Sequence, residues 1–340
     1  VVLGAQEGLR CCSEQLIPAL FPFLIVCQLV MDCPAAPLLG RAFWPYLRLL
    51  RIGSPAAGAA LLIGLLGGFA PAGRCVARLR ENGRINSQQA QALLTACAGS
   101  GPGFVVNSVG LLMLGSWKIG WVLVGCQTIA NLLCGLAAAR LLNLPTLSRH
   151  AVRPALPDSE TGDAVGVSGT IRQSAQAMLT ICGTVVGFRC LYQILQPVFC
   201  LDARFSAAGA ALLEVTNGCI EAARLPGSMA VYGCCAALSL LSASVFLQLR
   251  ALVPGDVSLK TLALTRPLHL LISMGLLHFA LQLLPDLAEQ AWTPAEPVRI
   301  VTTRARPDAA LVLFCFCCLV FFRLQKAAKP VSGPQENPLL

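Results

Sequence analysis

Long apolar runs, broken at a few points rich in glycine, proline and serine, make up most of the 340-residue chain. Residues 7–10 read as a helix end or an interfacial turn, and 16–31 form an apolar run carrying Pro18 and Pro22. Two prolines so placed predict a kinked or re-entrant segment. Residues 38–50 mix Arg41 and Arg48 with Phe43, Trp44 and Tyr46, the pattern of an interfacial amphipathic segment, interrupted at Pro45. Residues 56–70 are apolar and end in Gly67-Gly68-Phe69-Ala70-Pro71-Ala72-Gly73, where a straight helix is expected to break. A polar helix start at Asn86-Ser87-Gln88-Gln89 opens the next run, which breaks again at Gly99-Ser100-Gly101-Pro102-Gly103. Residues 104–114 and 119–142 complete this half.

Residues 144–169 carry Pro145, Pro154 and Pro157 and the polar stretch 158–161, so they read as a linker. Apolar segments resume at 175–199, 207–224, 229–253, 268–284 and 309–322, while 289–308 is polar and expected outside the bilayer. The expected organisation is a first membrane half over 1–143, the linker over 144–169 and a second half over 170–323. A disordered tail over 324–340 completes it.

Composition turns this pattern into a class. The chain is 56% hydrophobic and 12% charged, with mean hydropathy +0.71, whereas soluble domains carry roughly 25% charged residues. Several runs approach the roughly 20 residues that cross a bilayer. The predicted fold class is an all-α polytopic membrane protein. The net charge of +9 does not argue for nucleic acid, because Arg48, Arg51, Arg140, Arg250 and Arg323 sit at the ends of apolar segments. Most of the 17 cysteines lie inside apolar runs, Cys126, Cys134, Cys182, Cys234 and Cys235 among them, and read as small buried hydrophobes. Cys315 and Cys318 form a C-x-x-C without a second pair, and His150, His269 and His278 have no metal-ligand spacing. No phosphate-cradling loop, nucleophile triad or paired-carboxylate motif is present, so neither an enzyme nor a bound cofactor is expected. The chain opens on Val1 without a signal-peptide n-region, as a processed chain or one lacking an original first span would.

The chemistry concentrates at the breaks. Glu214 stands in an apolar run just before Thr216-Asn217-Gly218, where the helix is expected to unwind and leave free backbone groups beside a carboxylate. The competing role for Glu214 is an ion pair between helices, with Arg189 the obvious partner; Glu221 lies near Arg224 and reads as interfacial. Ser100, Gly101 and Pro102 let backbone approach a ligand and leave a helix start that favours an anion, with Asn107 one turn on. Packing kinks explain the same glycines. Gly73 and Arg74 close the first break, and Arg74 and Arg78 either attract an anion or anchor the interface. Gln127 and Asn131 share a helix face and, like Gln248, read first as interhelical hydrogen bonds. A break ending at Gly73 and one at Ser100 are matched by a break ending at Gly218 and Ser242-Ala243-Ser244 at similar spacing. Such paired interruptions point to an internal repeat with a site at its interface.

Five motifs in order then carry a family resemblance. Ile17-Pro18 with Leu20-Phe21-Pro22-Phe23-Leu24-Ile25 resembles the opening of the YlbJ/SpoVV family of sporulation integral membrane proteins. Gly68 to Gly73 with Arg74 and Leu79, and Ser100-Gly101-Pro102 with Phe104, Val109 and Gly110, resemble its next two motifs. Leu213-Glu214-Val215-Thr216-Asn217-Gly218 and Ser244-Val245-Phe246-Leu247-Gln248 resemble the second-half pair. The first glycine-proline motif is one residue longer than the family's and lacks its tyrosine. The resemblance implies a nucleoside-recognition Gate-type domain, two Gate-like repeats with broken or re-entrant helices, distantly similar to concentrative nucleoside transporters. It also implies movement of dipicolinic acid, or a related small anion, from the mother cell across the outer forespore membrane.

Three readings follow. A dipicolinate transporter calls for cationic and backbone donors, with a coupling proton or cation at Glu214. A nucleoside carrier calls for aromatic and amide contacts. A non-transporting scaffold for the spore envelope needs neither a buried acid nor paired breaks. The expected partners are the bilayer and the small anion, with substrate contacts at Gly73, Arg74, Ser100, Gly101, Pro102, Asn107, Glu214, Thr216, Asn217 and Gly218.

Overall fold

The structure is a computed structural model that describes residues 2–32, 40–145, 167–199 and 202–284. The described residues are mostly helical, with no strand among them. The expected apolar segment 309–322, the polar stretch 289–308 and the tail lie outside them, as does most of the linker.

The first helices, α1 (Val2–Cys11) and α2 (Ile17–Asp32), are joined by a π-helical turn over Cys12–Leu16. Residues 7–10 are thus the last turns of α1, and the backbone runs on helically instead of turning. The re-entrant alternative expected over 16–31 is absent, because α2 runs unbroken from Ile17 to Asp32. Pro18 follows directly on the π-helical turn, and Pro22 is carried inside the helix. A second correction concerns Pro45, which opens the short helix α3 (Trp44–Leu49) in place of interrupting one.

The next two helices show what the glycines do. Helix α4 (Ala56–Gly67) and helix α5 (Phe69–Glu81) are separated by Gly68 alone, at φ 90° and ψ −170°. A side chain is strained in that region. The break expected over 67–73 therefore shrinks to one residue, and Pro71 and Gly73 are helical. Pro71 sits in the first turn of α5, where prolines fit. Helix α6 (Ser87–Cys97) starts on a reciprocal cap, the Gln89 N–H donating to Asn86 Oδ1 at 2.8 Å and the Asn86 N–H to Gln89 Oε1 at 3.1 Å. The chain then leaves helical geometry over residues 98–101 before α7 (Phe104–Met113), wound as a π-helix, and α8 (Trp117–Leu141).

After α9 (Val167–Phe199) comes α10 (Ala203–Leu213). Glu214 alone is extended, at φ −151° and ψ 131°, before α11 (Val215–Ala223). The unwinding expected at Thr216-Asn217-Gly218 thus falls on Glu214, and those three residues form the first turn of α11. Helix α12 (Ser228–Leu240) stops at Leu241, with φ 52°, and Ser242, before α13 (Ala243–Leu252). Helices α14 (Lys260–Leu264) and α15 (Arg266–Leu283) follow.

One apolar core joins α4–α8 to α10–α15, drawing on Leu61, Leu93, Ile119, Cys234 and Leu249. A smaller cluster of Cys12, Leu24, Met178, Ile181 and Val185 joins α1 and α2 to α9. Among the described residues, three stretches are long and apolar enough to cross a membrane: Trp117–Leu141, Ser168–Leu195 and Ser228–Leu252, the last being α12 and α13 with their interruption. Their outward faces carry large apolar side chains, such as Leu179 at 73% exposure. Exposed apolar surface of that kind marks contact with lipid or another apolar partner. Cys126, Cys134, Cys234 and Cys235 are buried and free, as their apolar settings predict.

The first two interruptions cross closely. A Cβ on Gly68 would stand 2.8 Å from the Gly101 amide nitrogen, and one on Gly101 would stand 3.1 Å from the Gly67 carbonyl carbon. Gly68→Ala is therefore expected to destabilise the protein by about 1–3 kcal/mol, from a strained φ and a backbone collision together. Gly103→Ala, with open space at its Cβ, is the control and should be close to neutral. Thermal unfolding in detergent reads the difference, and equal midpoints for the two variants would contradict the crowding.

Candidate functional site

A cavity of about 550 Å³ lies where the interruptions meet, within the range typical of small-molecule sites. Its wall includes Gly67 and Gly68 from the first interruption, Ser100 and Gly101 from the second, and Glu214 and Thr216 from the third. Asn107, Ser108 and Phe104 come from α7, Gln248 from α13, and Ile181 and Val185 from α9. The α1–α2 side contributes Glu14, Leu16 and Pro18.

Two of the interruptions are held by a side chain that replaces a lost helical bond. At Ser100, Gln127 of α8 works in both directions. Its Oε1 accepts from the Ser100 N–H at 2.9 Å, and its Nε2 donates to the Ser100 carbonyl at 3.4 Å. Two peptide groups that would otherwise be unpaired in the interior are thereby satisfied. The amide of Asn131 packs against Gly99 one turn further along α8. Behind Gln127, the ring of His269 lies beside the Gln127 carbonyl. The sequence reading of Gln127 as a general interhelical bond missed this role, because its target lies 27 residues away on a stretch whose geometry only the fold defines.

Glu214 holds its own interruption. Its Oε2 accepts from the Asn217 N–H at 2.8 Å, the arrangement of an N-cap, and Thr216 also lies beside the carboxylate. Being extended, it can face the cavity and still cap α11. Glu214 is only 2% exposed, so its carboxylate is among the few ionisable groups in the interior. Arg189 is not its ion-pair partner, contrary to the simplest structural reading. That guanidinium donates to Glu7 Oε2, 2.7 Å from its Nη2, and to Asn217 Oδ1.

Of the ten residues expected to touch substrate, the structure brings Ser100, Gly101, Asn107, Glu214 and Thr216 to the cavity wall. The other five lie outside it. Gly73 packs on α13, where a Cβ would meet Leu249 Cδ2 at 3.0 Å. Arg74, one turn into α5, points to α9 and donates from Nη2 to the Gln173 carbonyl at 2.5 Å. Both follow from the break ending at Gly68: with 69–73 helical, their positions rotate away from the opening. Pro102 begins the turn into α7, Asn217 faces Arg189, and Gly218 packs on Ala211 of α10. Glu221 pairs with Arg224 at 2.9 Å at the exposed side, as its position suggested.

The polar character of the wall is specific. Ser100 Oγ and Gln248 Oε1 are buried and have no partner, so each offers an unused hydrogen-bonding position. Phe69 and Phe104 supply aromatic surface. Among the described residues that line the cavity there are two acids and no lysine or arginine. No cluster of metal-ligating side chains occurs among the described residues.

No family model matches the chain, and no solved structure does. The chain is similar to the sporulation integral membrane protein YlbJ of Bacillus subtilis (strain 168), at 22% identity over 240 residues. That match covers 66% of this chain and 56% of the relative, so the chain spans little more than half of the length of the protein it matches. With the apolar helices, this likeness supports an integral membrane protein.

The clamp on Ser100 gives a direct expectation. Gln127→Leu leaves one buried N–H and one carbonyl without partners, which costs about 1–3 kcal/mol for each group. The Ser100 amide should then exchange with solvent at least roughly tenfold faster, since 1.4 kcal/mol is a factor of ten. Amide exchange in detergent reads it directly. Unchanged protection at Ser100 would show that the clamp does not hold the interruption.

Proposed function

We propose that the chain is a membrane transporter that moves a small solute through the cavity between its helix interruptions, without chemical conversion. The observation that carries this reading is the convergence of three interruptions and one capping acid on a single cavity. In a bilayer, non-helical backbone is tolerated where it is buried in protein or lines a cavity, and transporters build their sites from such discontinuous helices. The order of elements supports a repeat. Helices of 12, 13, 11 and 10 residues, α4 to α7, precede α8. Helices of 11, 9, 13 and 10 residues, α10 to α13, precede α15. Gly68 and Glu214 stand at matching joints, and so do residues 98–101 and 241–242. This is the arrangement expected of two Gate-like repeats.

The substrate named by the family resemblance is dipicolinic acid or a related small anion, carried out of the mother cell across the outer forespore membrane. The wall sets a condition on that substrate. Two carboxylates and no described cation face the cavity, and like charges a few ångströms apart repel by several kcal/mol at an effective dielectric near 20. An anion therefore enters with its charge compensated, by a proton or a cation taken up with it, and Glu214 is the group placed to hold that positive charge. Orphaned Ser100 Oγ and Gln248 Oε1, with the Gly101 and Gly68 backbone, bind its polar edge, and Phe69 and Phe104 its ring.

The same lining favours a second substrate class. Amides, hydroxyls and two phenylalanines without a cation suit a neutral nucleoside.

Uptake by purified protein in liposomes, comparing dipicolinate with uridine, separates the two. Ser100→Leu or Gly101→Leu should lower uptake of the accepted substrate at least roughly tenfold, because each fills the wall at a crowded crossing. Glu214→Gln keeps a capping oxygen and should bind substrate while losing the pH or cation dependence of its uptake. Wild-type uptake in both Ser100→Leu and Gly101→Leu would contradict the cavity as the pathway.

A further inference from the structure

The cavity acid is wired to a charge outside the cavity. Helix α1 carries Gly4 and Gly8 four residues apart, and both sit against α9. A Cβ at Gly4 would stand 2.9 Å from Gln193 Cγ and 3.1 Å from the Arg189 carbonyl, and one at Gly8 would stand 2.9 Å from Val186 Cα. Small residues at this spacing let two helices approach closely. The approach puts Glu7 of α1 against Arg189 of α9. Glu7 Oε2 accepts from Arg189 Nε at 2.9 Å and lies 2.7 Å from Nη2, while Gln193 Nε2 donates to the same oxygen at 3.3 Å. The third guanidinium nitrogen, Nη1, points the other way and donates to Asn217 Oδ1. The N–H of Asn217 in turn donates to Glu214. Arg189 is 15% exposed and Glu7 40%, so the chain of contacts runs from a half-open surface acid to a buried one.

We infer that Arg189, shared between Glu7 and the Asn217–Glu214 cap, is the residue that sets the charge the cavity presents to its ligand. The inference deepens the transport reading and rests on it for the word ligand. Three observations converge. The guanidinium is the charged group of opposite sign that bears on Glu214. It is anchored by two of its nitrogens to an acid on another helix, so its distance from Glu214 is fixed by the α1–α9 packing. It is also absent from the cavity wall, so it acts on the site without touching the solute. Arg189 is thus a positioning residue: Glu7 draws its charge away from Glu214, and Asn217 holds it near. The other groups bearing on Glu214 are Cys11 and Cys12 from the α1 side and Cys219 from α11, with Glu14 also lining the cavity. None of these is a cation.

Infrared difference spectra of the full chain in lipid vesicles test this without any substrate. The carboxyl band lost in Glu214→Gln identifies Glu214, and its appearance against pH gives a midpoint. Removing the cation with Arg189→Gln, and removing its competing anion with Glu7→Gln, should displace that midpoint in opposite directions, each by about one unit or more. Arg189→Lys, which keeps the charge, should restore most of the wild-type midpoint. A helix-packing role alone would lower stability in these variants and leave the midpoint where it was. Should Arg189→Gln fail to fold, Glu7→Gln decides the matter, since it leaves the guanidinium in place. Identical midpoints in the wild type and the folded variants would overturn the inference, as would the absence of a Glu214 band wherever the protein stays folded. Displaced midpoints in a protein that takes up neither dipicolinate nor uridine would remove the transport reading and leave Arg189 with its assigned role.

Discussion

A backbone peptide group in an apolar interior must find a partner, and the arrangement of this protein depends on how it meets that demand where its helices stop. Removing such a group from water without replacing its hydrogen bonds costs several kcal/mol in hydrocarbon. Continuous helices such as α8 satisfy the demand locally. The interrupted ones need help from distant side chains, and they receive it. Gln127 supplies the donor and the acceptor that Ser100 lacks, and Glu214 turns its carboxylate back onto the Asn217 amide. Gly68 needs no side chain, because its unusual φ lets the chain pass directly from one helix to the next beside Gly101. These arrangements keep open backbone at a cavity wall without leaving it unpaired.

That constraint also explains which residues were legible beforehand. Glu214 stood out because an acid inside an apolar run has few structural reasons to be there, and the fold puts it on the cavity wall. Ser100 and Gly101 were visible for the complementary reason, since glycine and serine around a proline weaken a helix wherever they occur. The helix content and the apolar spans could be read from periodicity and run length, because those signals are local. Gly73 and Arg74 misled. Their neighbours contain enough glycine and proline to end a helix, but Pro71 falls in a first turn, where its missing N–H does no harm. One residue of difference in where a helix starts rotates the following side chains by about 100°, and Arg74 consequently meets Gln173 in place of the cavity. The roles of Gln127 and Arg189 depend on contacts across 27 and 182 residues, which no local pattern encodes.

The electrostatics of the cavity refine what the family resemblance suggests. Arg74 and Arg78 near the first break had been the candidate counter-charges for an anionic solute, yet Arg74 donates to the Gln173 carbonyl and neither lines the cavity. What remains on the wall is a largely aliphatic surface with a few hydroxyl, amide and carboxylate groups and two aromatic rings. On the transport reading, such a lining would select by hydrogen-bond pattern and shape, and would admit negative charge only when something positive accompanies it. The GxxxG-like contact of α1 on α9 lies outside both candidate repeats, yet it anchors the cation that bears on Glu214. An accessory helix then contributes to the site through charge and not through contact.

The central claim is that the cavity bounded by Gly68, Ser100 and Glu214 holds the solute. The most direct measurement is a density map of the purified protein prepared with dipicolinate, and in parallel with uridine, against a ligand-free control. The account predicts new density for one of the two within that cavity, with a polar edge against Ser100 and Gln248 and a ring against Phe69 or Phe104. A ligand bound elsewhere while this cavity stays unchanged would contradict it.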